Sequence, residues 1–279
     1  MKLIQAIDDI RDAVRQWRRQ DLVVGLVPTM GYLHEGHRSL IRLARQESDR
    51  VVVSIFVNPT QFSPTEDLAV YPRDLKADLD ICRAEGVDAV FHPSADAMYA
   101  DDFSTWVSEE RLAGGLCGAS RPTHFRGVAT VVTKLFNIVQ PDIAIFGRKD
   151  AQQALVIERL VRDLNVPVQV ITAPTVREAD GLALSSRNSL LTPEDRARAP
   201  AICAALRDAA AALAAGRTDA DALKALVTDA LTRAGARVDY VELVSRRTLE
   251  PIRTVDEQAL LAVAVLYGQV RLIDNVFLG

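Results

Sequence analysis

Short apolar runs rich in β-branched residues alternate with amphipathic helical patterns as far as about residue 176. The runs read "LVVGLVP", "VVVSIFV", "DAVFHP", "DIAIFG" and "VPVQVIT", and an amphipathic helix over residues 3–19 is expected to precede them. Strands that are covered by helices on both faces read as continuous apolar runs, because neither face meets water. The alternation therefore predicts βαβ units and an α/β fold built on a doubly wound parallel sheet.

A different pattern follows residue 176. Thr192 and Pro193 predict the N-cap and the first residue of a helix that continues through "RARAPAICAALRDAAAALAAG", and a second helix is expected near 219–233. The runs "RVDYVELVS", "ALLAVAVLYG" and "VRLIDNVFL" then predict a small, mostly antiparallel sheet. We therefore expect two domains, a doubly wound nucleotide-binding domain over 1–176 and a smaller α+β domain over 177–279 that acts as a lid.

Charge and cysteine content narrow the class of protein. Lysine and arginine number 33 against 37 aspartates and glutamates, which gives a formal net charge of −4. That balance offers no electrostatic case for nucleic acid as a partner. The three cysteines are widely spaced and form no C-x-x-C pair, as is typical of reduced thiols in a cytosol. No apolar run in the sequence is long enough to span a bilayer, so we expect a cytoplasmic protein that binds neither nucleic acid nor membrane.

Two of the chain's four histidines, His34 and His37, fall in "PTMGYLHEGH", between a predicted strand and a predicted helix. Gly31 and Gly36 have the glycine spacing of a P-loop, but His37 and Arg38 stand where a lysine and a serine or threonine would bind phosphate and magnesium. A zinc site is disfavoured, because the H-E-x-x-H spacing is absent. The pattern favours phosphate binding by imidazole N–H groups and by the helix N-terminus. Capping of the helix by both rings stays an alternative.

Polar motifs follow three further predicted strands. They read "NPTQF" after "VVVSIFV", "GRKDAQQ" after "DIAIFG", and the loop beyond "VQVITAPTV". Open parallel sheets bind ligands beyond the carboxyl ends of their strands. These segments, distant in sequence, are therefore expected to converge with the histidine motif on one site.

Together these motifs resemble a known family. "HEGH" is similar to the HIGH-type signature of the class I aminoacyl-tRNA synthetase and nucleotidyltransferase superfamily, and "LALSSRN" resembles its KMSKS-type element. With "FVNPTQF", "YPRD", "RPTHFRGVATVV" and "FGRKDAQQ" in the same order, nearly the whole chain resembles the pantoate–β-alanine ligase (pantothenate synthetase) family. The resemblance implies a Rossmann-like nucleotidyltransferase fold and a homodimer that acts in pantothenate and coenzyme A biosynthesis. It also implies ATP-dependent condensation of pantoate with β-alanine, with AMP and pyrophosphate released through a pantoyl adenylate.

The resemblance further implies roles for individual residues. The residues expected to bind ATP are Met30, His34, His37, Gly147, Lys149, Asp150, Val176, Leu184, Ser185, Ser186 and Arg187. Those expected to be catalytic, through the phosphates and the leaving pyrophosphate, are His34, His37, Lys149, Ser185, Ser186 and Arg187. Those expected to bind pantoate are Met30, Asn58, Gln61 and Gln153. A glutamine amide offers both a donor and an acceptor, which suits a substrate that carries hydroxyls and a carboxylate.

The chain departs from the family pattern in two segments. Arg148 replaces a glutamate and Ala151 an aromatic residue in the loop after "DIAIFG", and an acidic pair is reduced to Ala77 and Asp78. Magnesium is expected to arrive bound to ATP, since it keeps water ligands and few protein ligands, and Asp78 is a candidate ligand. Two other functions stay open: an adenylyltransferase that keeps AMP in its product, and a nucleotide-binding module without catalysis.

Overall fold

The computed structural model describes residues 1–63, 68–69, 71–256 and 258–279. The chain divides into two compact units. The first unit comprises Met1–Glu110, Arg121–Arg148 and Gln153–Pro174, and the second comprises Arg111–Ser120, Lys149–Gln152 and Thr175–Gly279. Two short segments, Arg111–Ser120 and Lys149–Gln152, thus belong to the second unit although segments of the first unit flank them in the sequence. The predicted domain boundary at residue 176 stays a prediction.

The first unit is built on the parallel sheet that the sequence predicted. Its strands are β1 Lys2–Ile4, β2 Val24–Thr29, β3 Arg50–Ile55, β4 Ala89–Phe91, β5 Ile143–Gly147 and β6 Gln169–Ala173. They lie in the order β1-β4-β3-β2-β5-β6, and every neighbouring pair is parallel. The strand order reverses between β2 and β5, and open α/β sheets bind ligands at such a reversal.

Helices cover this sheet and explain its apolar strands. The helices of the first unit are α1 Ile7–Arg18, α2 Glu35–Glu47, α3 Leu75–Ala84, α4 Ala95–Met98, α6 His124–Val139 and, from Gln153 onward, α7 Ala151–Asp163. Leu26 and Val52 belong to the hydrophobic cluster on one face of the sheet, whereas Val27 and Val53 belong to the cluster on the other. Because successive side chains of a strand point to opposite faces, burial of both faces requires an uninterrupted apolar run.

The beginning of the chain differs from its prediction. The expected helix over 3–19 starts only at Ile7, and Lys2–Ile4 form an edge strand in which Leu3 pairs with Val90. The apolar spacing from Leu3 onward fits a helix, but pairing with β4 gives the backbone of these residues an alternative set of hydrogen bonds. Periodicity alone does not reveal such a partner.

The second unit contains the predicted antiparallel sheet, with strands β7, β8 and β9 in that order. Its elements are α5 Cys117–Ser120, α8 Pro193–Arg198, α9 Ala201–Ala214, α10 Ala220–Arg233, β7 Arg237–Ser245, β8 Ala259–Tyr267 and β9 Val270–Leu278. Thr192 caps α8 as expected, since its hydroxyl accepts the N–H of Asp195 at 3.1 Å. The predicted long helix is interrupted, because α8 ends at Arg198 and Pro200 occupies the N-cap position of a new helix, α9. Proline lacks the N–H that would continue the ladder.

Apolar side chains of α9, α10 and the antiparallel sheet form the core of the second unit. Among the residues that the structure describes, no helix combines the length and the apolar character that crossing a membrane would require.

Candidate active site

The turn after β2 carries the histidine motif at the point where the strand order reverses. Gly31 and Tyr32 have positive φ angles of 82° and 52°, and α2 begins three residues later at Glu35. A Cβ atom on Gly31 would lie 2.8 Å from Oδ2 of Asp78. Glycine therefore meets two requirements at this position, a left-handed backbone and a close approach to a carboxylate.

A buried carboxylate holds this turn. Asp78 on α3 is 2% exposed, and its two oxygens accept the backbone N–H of Tyr32 at 2.9 Å and that of Leu33 at 2.7 Å. Burial raises the pKa of Asp78, and the two backbone hydrogen bonds act in the opposite direction. Asp78 thus anchors the loop between Met30 and His34, a role that the sequence analysis missed.

The described residues offer magnesium no site made of several protein ligands. Among them, no group of three or more His, Cys, Asp or Glu side chains could hold a metal ion. Both carboxylate oxygens of Asp78 already accept backbone N–H groups. A role of Asp78 as a magnesium ligand stays a prediction.

His34 and His37 form the hydrogen bonds that cap the N-terminus of α2. Nδ1 of His34 accepts the N–H of Gly36 at 3.2 Å, and Nδ1 of His37 accepts the N–H of His34 at 3.2 Å. The two half-buried rings lie with their centroids 4.1 Å apart. A ring nitrogen that accepts a hydrogen bond carries no proton in the neutral imidazole, so the proton of each ring is on Nε2. Capping and phosphate binding are therefore compatible, because capping uses Nδ1 and a phosphate would be bound through the other ring nitrogen, Nε2.

The amide of Gln61 is oriented by a neighbouring asparagine. Asn58 and Gln61 are 1% and 8% exposed and follow the carboxyl end of β3. Nδ2 of Asn58 donates to Oε1 of Gln61 and to the carbonyl oxygen of Gly127, both at 3.2 Å. Nε2 of Gln61 points to Sδ of Met30 at 3.1 Å, and a thioether is a weak acceptor. The structure thus brings together three of the predicted pantoate residues, with the Gln61 amide presenting its N–H side to Met30.

Two hydroxyl groups fix Asn58 in turn. Oδ1 of Asn58 accepts the phenol of Tyr99 at 2.8 Å and the hydroxyl of Thr60 at 3.0 Å. Burial raises the pKa of Tyr99, so its phenol keeps its proton as a donor at neutral pH. Sequence reasoning missed Tyr99, because no pattern in the sequence relates it to a residue 41 positions earlier.

The backbone of Gln61 is held against α6. Its carbonyl oxygen lies 2.9 Å from Nδ1 of His124 and 3.3 Å from Nη2 of Arg121. A Cβ atom on Gly127 would lie 2.5 Å from the carbonyl oxygen of Thr60, so the helix can approach this turn only with glycine there. The position of Gln61 is therefore set by backbone contacts as well as by its amide.

The carboxyl end of β5 leads from Gly147 into the second unit, where the remaining predicted ATP residues lie. The Nζ atom of Lys149 is 3.7 Å from Oδ1 of Asp150, and the two side chains are 19% and 46% exposed. Ser185 caps the short 3₁₀ turn Ser186–Leu190, since its hydroxyl accepts the N–H of Arg187 at 3.3 Å. Lys149 and Ser185 line one small cavity of this unit, so two predicted phosphate ligands from distant segments are neighbours.

The other predicted residues lie before the serine turn, within that turn and in the first turn of α7. The backbone N–H of Leu184 donates to the carbonyl oxygen of Val176 at 3.0 Å, and the chain continues from Leu184 into the turn at Ser185. Ser186 is 9% exposed. Gln153 lies half-buried in the first turn of α7, after the buried Ala151.

The chain has a nucleotidyltransferase-like α/β fold with a smaller C-terminal unit. The family model described as pantoate-beta-alanine ligase matches residues 2–277. The chain therefore belongs to the pantoate–β-alanine ligase family.

Relatives and solved structures agree with this assignment. The chain is 55% identical to a pantothenate synthetase of Pelotomaculum thermopropionicum, over 100% of this chain and 99% of the relative. It is similar to the crystal structure of pantothenate synthetase from Thermus thermophilus, with a TM-score of 0.94, 44% identity and 99% of each chain covered. It is also similar to the pantoate-beta-alanine ligase from Francisella tularensis complexed with beta-gamma ATP and beta-alanine, with a TM-score of 0.81, 35% identity, and 99% of this chain and 97% of that chain covered.

The orientation of the Gln61 amide leads to a test. We expect Gln61→Ala to raise the KM for pantoate by roughly 10–100-fold and to leave the KM for ATP nearly unchanged, because the substrate would lose one buried partner. Gln153→Ala should shift the same constant. Initial rates measured while pantoate and ATP are varied separately decide this.

Gln169→Ala is the matched control, since this exposed glutamine begins β6 at the opposite end of the sheet. An equal loss of affinity for both substrates in the Gln61 variant would assign this residue to the scaffold.

Proposed function

We propose that this chain joins pantoate to β-alanine to form pantothenate, at the expense of ATP, and that the reaction passes through pantoyl adenylate. The observation that carries the proposal is membership of the pantoate–β-alanine ligase family over residues 2–277. A ligand pair of the expected chemistry, beta-gamma ATP and beta-alanine, is present in the related structure from Francisella tularensis.

The first step brings anions together. A carboxylate oxygen of pantoate attacks the α-phosphorus of ATP, the bond to the β-phosphate oxygen breaks, and pyrophosphate leaves. Such a barrier is lowered chiefly by donors and cations that are fixed in place before the reaction. We assign this role to Nε2–H of His34 and His37, to Lys149, and to the turn of Ser185, Ser186 and Arg187.

Binding of the substrates uses the other residues. The N–H side of the Gln61 amide would meet an oxygen of pantoate, with Asn58 holding that amide and with Met30 and Gln153 completing the pocket. Gly147, Asp150, Val176 and Leu184 are assigned to the nucleoside part of ATP. In the second step the amine of β-alanine attacks the acyl carbon, and AMP leaves with one oxygen of the former carboxylate.

The proposal also includes the entry of magnesium, the cellular compartment and the oligomeric state. Magnesium enters as a complex with the phosphates of ATP, since it dehydrates reluctantly and needs few protein ligands. The protein acts in the cytoplasm, which is consistent with its three free cysteines, all of them buried thiols. The protein is a homodimer, as the family resemblance implies.

Isotope exchange tests the order of the chemistry. With ATP and pantoate but no β-alanine, we expect labelled pyrophosphate to exchange into ATP, because adenylation does not need the amine. Oxygen-18 in the carboxylate of pantoate should deliver one labelled oxygen to AMP after β-alanine is added. Exchange that requires β-alanine, or unlabelled AMP, would exclude the acyl adenylate. A product that retains the AMP group would instead indicate an adenylyltransferase.

A further inference from the structure

One buried carboxylate of the second unit, that of Asp274, has no assigned role in the proposed adenylation or amide formation. Asp274 on β9 is 3% exposed, and its oxygens accept Nη1 and Nη2 of Arg177 at 2.5 and 3.0 Å. The Arg177 side chain is 28% exposed, so the buried member of the pair is the carboxylate, which would be left uncompensated if Arg177 moved away. The pair therefore fixes the backbone segments to which its two members belong.

Arg177 connects this pair to the segment before the serine turn. The backbone of Arg177 forms an isolated β-bridge with Ala183. Its Nη1 also donates to the carbonyl oxygen of Gly181 at 3.2 Å. The guanidinium and the bridge thus close a short loop that leads, two residues after Ala183, into Ser185.

Asn275 connects the same pair to the lysine segment. It is 7% exposed, and its backbone N–H donates to Oδ1 of Asp274 at 2.8 Å. Its Nδ2 donates to the carbonyl oxygen of Lys149, also at 2.8 Å. The orientation of Asn275, and with it the position of the Lys149 backbone, is therefore tied to the Arg177–Asp274 pair.

The other end of the lysine segment is also fixed within the second unit. Gln152 is 6% exposed. Its Nε2 donates to the carbonyl oxygens of Leu112 and Gly115, both at 2.8 Å, and its Oε1 accepts the N–H of Cys117 at 3.0 Å. The segment Lys149–Gln152 is thus held at both ends, and the end that carries Lys149 is held by Asn275.

We propose that Arg177, Asp274 and Asn275 are positioning residues for ATP, which hold Lys149 and the turn at Ser185 in one fixed arrangement. The inference rests on the proposed function, in which Lys149 and Ser185 contact the phosphates. All five residues belong to the second unit, and Lys149, Ser185 and Asp274 line the same cavity. The network acts on ATP through these two segments, since electrostatic catalysis requires donors that are in place before the reaction.

The test compares two variants with a control in the same sheet. Asn275→Ala removes one hydrogen bond to Lys149, and we expect about a tenfold loss of kcat/KM for ATP in the pantoate-dependent exchange reaction, with the KM for pantoate unchanged. Asp274→Asn should cause a larger loss of the same kind. The control is Asp239→Asn, because Asp239 pairs with Arg271 at 2.8 and 3.0 Å on the same sheet. It should keep the kcat/KM of the parent.

Hydrogen exchange measured by mass spectrometry gives a second readout that does not depend on activity. In Asn275→Ala the amides of 149–152 should exchange faster than in the parent, and in Asp274→Asn those of 177–187 should do so as well. If Asp274→Asn does not fold, Asn275→Ala decides alone. A lower melting temperature with unchanged kcat/KM for ATP would overturn the positioning role. Absence of pyrophosphate exchange in the parent enzyme would instead refute the proposed function.

Discussion

Replacement of His34 or His37 by alanine is expected to lower the rate of adenylation by about 10²–10³, the loss typical for one preorganised donor in the transition state. Each ring uses Nδ1 to accept a backbone N–H at the start of α2, and we propose that Nε2–H is the group that donates to the phosphates. Pyrophosphate–ATP exchange with saturating pantoate measures this rate directly.

A variant that keeps the cap separates the two roles of His34. Asparagine is among the best N-cap residues, so His34→Asn should preserve the start of α2 while it removes the Nε2–H donor. We expect His34→Asn to be as slow as His34→Ala. Recovery of the parent rate in His34→Asn would show that His34 contributes to the rate only by capping α2.

Replacement of Asp78 by alanine is expected to damage both stability and activity. It would leave the N–H groups of Tyr32 and Leu33 without their acceptor, and each unsatisfied buried group costs about 1–3 kcal/mol. The melting temperature should fall by roughly 5–10 °C. Adenylation by the protein that remains folded should fall by about 10² or more, since the loop that carries His34 would lose its anchor.

Asp142→Ala provides the matched control for this prediction. Oδ2 of Asp142 also accepts a backbone N–H, that of Val24 at 2.8 Å, but at the amino ends of β2 and β5. Its loss should lower the melting temperature and leave the adenylation rate of the folded protein unchanged. If Asp78→Ala behaves in the same way as this control, the anchoring of the histidine turn has no catalytic importance.

The architecture could be predicted because burial on both faces leaves a strong trace in the sequence. Leu26 and Val27 are adjacent in the chain and lie in hydrophobic clusters on opposite faces of the sheet, which is why the run "LVVGLVP" has no polar alternation. The edge strand Lys2–Ile4 left no such trace. It is short, and its backbone partner is β4, far along the chain.

The candidate site could be predicted only in part. Motifs predicted His34, Asn58 and Gln61 as site residues, whereas Tyr99, which holds Asn58 from 41 positions away, leaves no periodic pattern. Asp78 did leave one overlooked signal. It lies three residues after Leu75 and four before Cys82 in α3, on the apolar side of that helix, and a carboxylate in such a stripe indicates a buried partner.

Recombination could not transfer the second unit between proteins as one contiguous cassette. A fragment that begins at Thr175 would leave behind Arg111–Ser120 and Lys149–Gln152, which belong to that unit. In a recipient protein, Asn275 and the serine turn would then pack against the recipient's own lysine segment instead of the one with which they occur in this chain. A chimaera between two members of the family that exchanges the whole second unit would have to exchange all three segments at once.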